Sequence, residues 1–257
     1  MKPPNGIFSE APAGLPPVSL KRLARTAGAF YLVVAIAGGF AVGFLDPLLY
    51  AAGDPAATAG NVVENAGLLR IGVVAHLINN VFLLLTAATL YLLLKHAGKH
   101  PGRLMILAVI VAAGIDSFGA VFTHAALLVA TDGSYQAAFG LLGSNALVLL
   151  LLNIQHYAVM AAQVFFGLWL APLGYLAIKS RLFPKVLGLI LLLATASYLA
   201  DVAFAFLLPE VGTQIHNYLS IVPLVAEVWM LFYLLIIGVR TPRTGDRTPA
   251  QVAPLPV

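Results

Sequence analysis

Residues 69–94 read LRIGVVAHLINNVFLLLTAATLYLLL, and Lys95 follows. Apart from Arg70 at its start, the run holds no Lys, Arg, Asp or Glu. A helix rises roughly 1.5 Å per residue, so about 20 apolar residues cross a hydrocarbon core of about 30 Å. This run is long enough to do so as one helix. It is too long and too continuous for a barrel strand, and an open sheet edge in lipid would leave backbone groups without hydrogen bonds. The fold class read from it is an all-α, polytopic membrane bundle.

Five further runs have the same character, over 23–45, 104–130, 145–178, 186–208 and 215–239. The fourth exceeds one bilayer crossing and is expected to tilt or to extend past the membrane. The whole chain agrees: of 257 residues 61% are hydrophobic and only 9% charged, with a mean hydropathy of +0.96. A soluble domain carries about 25% charged residues. There is no cysteine, which excludes disulfides, thiolate metal sites and a cysteine nucleophile.

The basic residues lie at the ends of the runs. Lys2, Lys21, Arg22 and Arg25 precede the first, and Lys95, Lys99 and Arg103 follow the second. Lys179, Arg181 and Lys185 follow the fourth, and Arg240, Arg243 and Arg247 follow the sixth. These are 13 of the 14 Lys and Arg residues, all on one set of alternating loops. The opposite loops carry Asp46, Asp54, Glu64, Asp132 and Glu210, with Arg70 as their one basic residue. By the positive-inside rule the basic loops and both termini face the cytoplasm. The same distribution accounts for the net charge of +4 and leaves no basic stripe for nucleic acid.

The expected organisation is a Pro-rich disordered tail over 1–20, a six-helix membrane domain over 21–240 and a second disordered tail over 241–257. The first tail is too polar for the core of a signal peptide, and the run after Arg25 is too long for one, so it reads as a retained span. In the first outer loop, Asp54-Pro55 is an N-cap followed by Pro at the first helical position, which predicts a short helix over 56–65. Arg70 follows, as a headgroup anchor or a partner of Glu64. Pro172 and Pro223 fall within spans and are expected to kink them and free carbonyls. Gly38, Gly39 and Gly43 suit close packing of the first span. Tyr31, Tyr91 and Tyr175 fit interfacial belts.

Ionisable and amide side chains inside the spans define where an activity would reside. His76, Asn79 and Asn80 share a helical face, as do Asp116 and His124, and Asn153, His156 and Gln163. Tyr198 and Asp201 are one turn apart, and His216 and Glu227 lie on one stripe. His76, His156 and Asp201 are roughly 10–16 Å from the outer ends, and Asp116 and Glu227 roughly 18–20 Å. Almost nothing polar lies in the cytoplasmic halves. The set is one-sided, as a cavity on the outer face requires.

Three chemistries fit such residue types. Arg70, Asn79, Asn80, Asp116, Asn153, His156, Tyr198, Asp201 and Glu227 are candidates for ligand binding or proton relay. His76, His124, His156 and His216 are candidate metal ligands, for a catalytic zinc or a bis-histidine haem. Alternatively, the same groups hydrogen-bond across helices and hold the bundle, at about 0.6 kcal/mol per contact. No HExxH, phosphate loop or Ser–His–Asp arrangement is present. The function these features support is a multi-pass membrane protein that binds or passes a small molecule, lipid or proton. The alternatives are an intramembrane metal-dependent hydrolase acting on lipid and an accessory subunit of a larger complex.

Certain local strings are more specific. Residues 25–32 read RTAGAFYL, followed later by Phe165-Phe166-Gly167, Leu173-Gly174-Tyr175-Leu176 and Ser180. Pro184-Lys185-Val186-Leu187-Gly188, Tyr198-Leu199, Asp201 and Pro209 complete the series. With these the chain resembles the bacterial membrane protein family named domain of unknown function 4386, over residues 22–239 and most specifically over 156–209. The resemblance implies a bacterial multi-pass inner-membrane protein and no particular activity. It also implies an acid where His76 stands, and it does not include His124, so a four-histidine metal site is not a trait of the family. Arg70, His156 and Asp201 fit the family pattern.

Overall fold

The computed structural model describes residues 17–240. The tails expected over 1–20 and 241–257 lie outside them, except that the first helix already begins at Pro17. Every regular element among the described residues is helical. Helix α1 is Pro17–Gly38, and it runs through a π-helical turn, Gly39–Leu45, into the single turn α2, Asp46–Leu49. Then come α3 (Pro55–Glu64), α4 (Ala66–Leu94), α5 (Lys99–Thr131) and α6 (Gly133–Ser180). The last elements among the described residues are α7 (Lys185–Leu207), α8 (Pro209–Leu219) and α9 (Ile221–Phe232), which closes in a second π turn, Tyr233–Ile237.

Six segments among the described residues are long and apolar enough to cross a membrane. They are Ser19–Leu49, Ala66–Leu94, Lys99–Thr131, Gly133–Ser180, Lys185–Leu207 and Pro209–Ile237. The chain is a multi-pass membrane protein. Each span packs on the next, and the second π turn returns to α1, so the bundle closes on itself. Its outer surface is apolar: Ile36, Phe118, Leu193 and Ile236 are all more than half exposed, as lipid contact demands.

Local chemistry sets the element ends. The Asp54 side chain accepts a hydrogen bond from the Ala57 amide at 2.9 Å, and Pro55 opens α3. In α6 the one break is at Gly140, whose φ of 70° an L side chain rarely adopts, while Pro172 leaves the helix continuous. Pro223 acts differently. It cannot donate to the carbonyl of Leu219, the sixth span divides at Ser220, and the Ser197 hydroxyl donates to that carbonyl at 2.6 Å.

The largest core surrounds Trp169, Leu173, Phe183, Leu187 and Met230, toward the end of the bundle that carries Lys95, Lys179 and Lys185. There α6 and α7 approach so closely that a Cβ on Gly174 would meet the Gly188 carbonyl oxygen at 2.6 Å. A smaller core at the opposite end packs Leu45, Leu49, Leu69, Leu127 and Leu152 beneath α3.

Candidate functional site

The π turn widens the last part of the first span and carries Asp46 into a helical position. The sequence places Asp46 in a loop; in the structure it begins α2, within the span, and faces α4 and α6. Its carboxylate meets two spans. Gln155 donates to Oδ2 at 2.8 Å, and His76 Nε2 lies 3.4 Å from Oδ1. The other ring nitrogen of His76, Nδ1, lies 3.2 Å from Asp116 Oδ2. The result is a carboxylate–imidazole–carboxylate chain drawn from α2, α4 and α5. His76 and Asp116 are almost fully buried. Asn80, one helical turn beyond His76, donates to Asp116 at 2.8 Å and lies 2.9 Å from the Ser117 hydroxyl, and Asn79 donates to Asn80 at 3.3 Å. Gly38 admits this group, since a Cβ there would lie 2.8 Å from Asn79 Oδ1; Gly39 and Gly43 face open space. Asp116 Oδ1 is buried and has no hydrogen-bond partner.

A second acid–imidazole pair sits on α7 and α8. His216 Nδ1 lies 2.9 Å from Asp201 Oδ2, and Gln163 of α6 donates to the same oxygen at 2.7 Å. Asp201 is buried, whereas the His216 side chain is 56% exposed. His156 of α6 stacks on Tyr50 with ring centroids 5.0 Å apart, and the Tyr50 hydroxyl donates to Asn153 at 2.5 Å. Burial pushes the Tyr50 phenol up from its ordinary value.

Asp46 and Gln155 of the first group and Gln163, Asp201 and His216 of the second border one cavity of about 720 Å³, together with Tyr50 and His156. Asp46, Pro47 and Tyr50 form one wall, Gln155 to Gln163 of α6 another, and Asp201, Ala205, Gly212 and His216 the third. Gly212 brings α8 against α7, where a Cβ would lie 3.0 Å from the Ala205 backbone. The depth follows from the helices. At roughly 1.5 Å per residue, Asp116 stands about 20 Å from Arg103, Asp201 about 24 Å from Lys185 and His76 about 28 Å from Lys95.

Deeper still, Glu227 of α9 accepts hydrogen bonds from Tyr31 at 2.6 Å and Tyr198 at 2.9 Å. Tyr31 is therefore no interfacial residue: it is 3% exposed and meets Trp169 edge-on at 5.9 Å. Tyr175 is half-exposed, with the Lys179 ammonium over its ring at 5.4 Å from the centroid.

The profile of a family described as "Domain of unknown function (DUF4386)" matches residues 26–238. The chain belongs to this family. No curated protein and no solved structure matches it. The DUF4386 match contains both acid–imidazole groups, the cavity and the Glu227 cluster.

Of the residues singled out from sequence, the DUF4386 domain brings His76, Asn79, Asn80 and Asp116 into one network and Asp201 and His216 into another. His156 lines the cavity, and Asn153 reaches its Tyr50 wall. Tyr198 and Glu227 pair with each other beneath it. Two residues stay apart. Arg70 is exposed and takes no part in the ion pairs of the described residues, including with Glu64; His124 is exposed on α5. Among the described residues no three His, Asp or Glu side chains converge as metal ligands would. The groups that sequence reasoning missed are Asp46, Tyr50 and Gln155. The signal for Asp46 was its place at the end of an apolar run with no other acid.

Proposed function

We propose that this protein binds a small molecule in the cavity between α2, α6, α7 and α8, reached from the extracytoplasmic side. The observation that carries the reading is the cavity wall. Two carboxylates, two imidazoles and three amides converge there beside apolar Val42, Val159 and Met160. Ligand sites are typically clefts of about 300–1,000 Å³, mostly apolar with a few convergent polar groups, and the volume of about 720 Å³ falls in that range. The sidedness rests on the basic residues, 13 of 14 of which flank the opposite ends of the spans.

A ligand library screened by thermal stability of the purified protein in nanodiscs tests this. Compounds that raise the melting temperature of the wild type should lose their effect in Ala205→Trp, which fills the cavity from α7. Stabilisation that survives Ala205→Trp unchanged, or a library with no cavity-dependent binder, would sink the assignment.

A further inference from the structure

We infer that the cavity takes an organic cation, and that its entry releases one proton held by the Asp46–His76–Asp116 chain. This rests on the small-molecule reading above and names the ligand's charge and its counter-ion. The cavity wall includes the carboxylates of Asp46 and Asp201, the rings of Tyr50 and Tyr157, and no Lys or Arg. Aromatic faces and carboxylates together are the usual surroundings of an ammonium group.

The two carboxylates differ in how far they are compensated. Asp201 has His216 at 2.9 Å and Gln163 at 2.7 Å. In the other group, two carboxylates share one imidazole. Even with His76 doubly protonated, one negative charge is left over. It lies in a poor place for one: Asp116 is 2% exposed and its Oδ1 has no donor. Leaving a buried charge uncompensated is costly, so a positive charge must accompany it. In the empty cavity that charge is a second proton on the chain. When an ammonium group settles against Asp46, the end of the chain that borders the cavity, the proton is no longer needed. It leaves through the cavity to water. One positive charge enters, one leaves, and no bond changes except those to hydrogen.

Other titratable groups face the chain across the cavity: Tyr50 after α2, His156 and Tyr157 of α6, Asp201 of α7 and His216 of α8. The experiment must separate them. Wild-type protein in nanodiscs is titrated calorimetrically with choline and benzyltrimethylammonium, and with their neutral carbon isosteres 3,3-dimethylbutanol and neopentylbenzene. Buffers of different ionisation enthalpy, from about pH 5 to about pH 9, count the protons exchanged. The cations should bind and the isosteres should not. Cation affinity should fall as pH falls, approaching about tenfold per unit, with about one proton released per cation bound. Asp46→Asn should abolish cation binding. The pair His156→Gln and His216→Gln should keep both the pH dependence and the proton count. Because that pair leaves the Asp46–His76–Asp116 chain untouched, a proton count that survives in it assigns the proton to the chain, and a count that falls to zero overturns the exchange. Isosteres that bind as tightly as the cations, or cations that bind without releasing a proton, overturn the cation–proton exchange and leave the cavity as a binding site. If neither cations nor isosteres bind while other ligands remain sensitive to Ala205→Trp, the exchange is again overturned. If no ligand is sensitive to Ala205→Trp, the cavity assignment goes with it.

Discussion

At the end of the bundle that carries Lys95, Lys179 and Lys185, α6 and α7 meet through glycine backbones, and Trp169, Leu173 and Leu187 are buried among apolar neighbours. At the opposite end the same two helices part. Their facing side chains become Gln163 and Asp201, and a cavity opens between them and α8. Lipid offers no hydrophobic force to bring helices together, so close contact and hydrogen bonds must do it. One end relies on contact, the other on hydrogen bonds. Stability should therefore reside at the first end and ligand chemistry at the second, and variants can show whether the two separate in this way.

The largest loss of stability is expected from Trp169→Ala. It removes a side chain that is 1% exposed and the edge contact to Tyr31. A cost of about 3–5 kcal/mol, read from chemical unfolding in detergent, should leave any cavity ligand bound by the fraction still folded. Gly174→Ala comes next, because the added carbon would crowd the Gly188 carbonyl and Leu191; a cost of about 1–3 kcal/mol is expected in the same measurement. A neutral effect would mean that α6 and α7 slide apart easily and that the contrast between the ends is weaker than drawn.

At the polar end the expected losses of stability shrink. Tyr198→Phe removes one of the two hydroxyls on Glu227 and should cost about 0.6 kcal/mol, the usual value of a hydrogen bond between membrane helices. A cost several times larger would make the Glu227 cluster part of the structural core. The smallest effect is local. Asp132 caps α6, and the Ser134 backbone amide it accepts from at 2.9 Å holds its carboxyl below the ordinary carboxylate value. A depressed acid stabilises above its unfolded value and ceases to do so as pH falls through the folded one. Exchange of the Ser134 amide, corrected for its intrinsic rate, should rise only in that acid range. An unchanged rate would show that the cap contributes nothing.

Much of the bundle was legible because length and hydropathy report a bilayer directly: residues 69–94 could be little else. The pairing His76–Asn80 could be read from helical spacing within one span. The pairing of His76 with Asp46 and Asp116 could not, since it depends on how three spans rotate against one another. Asp46 was hidden for a more specific reason. An acid at the end of an apolar run reads as the start of a loop, and nothing in GFAVGFL announces a π turn. Tyr31 was misread similarly: its position near a span end fits a belt, and only the fold brings Glu227 to it.

That π turn sets the phase of everything that follows it in the first span. In an α-helix each residue advances the direction of the next by about 100°, and a π turn holds one residue more per hydrogen-bonded loop. The direction in which Asp46 points is therefore a matter of counting. The same seven residues wound as a regular α-helix would swing the carboxylate by about 100°, away from His76 and Gln155, with every side chain of the cavity still present. The site is tuned by phase as well as by composition, and straightening the π turn before Asp46 would detune it as surely as replacing the acid.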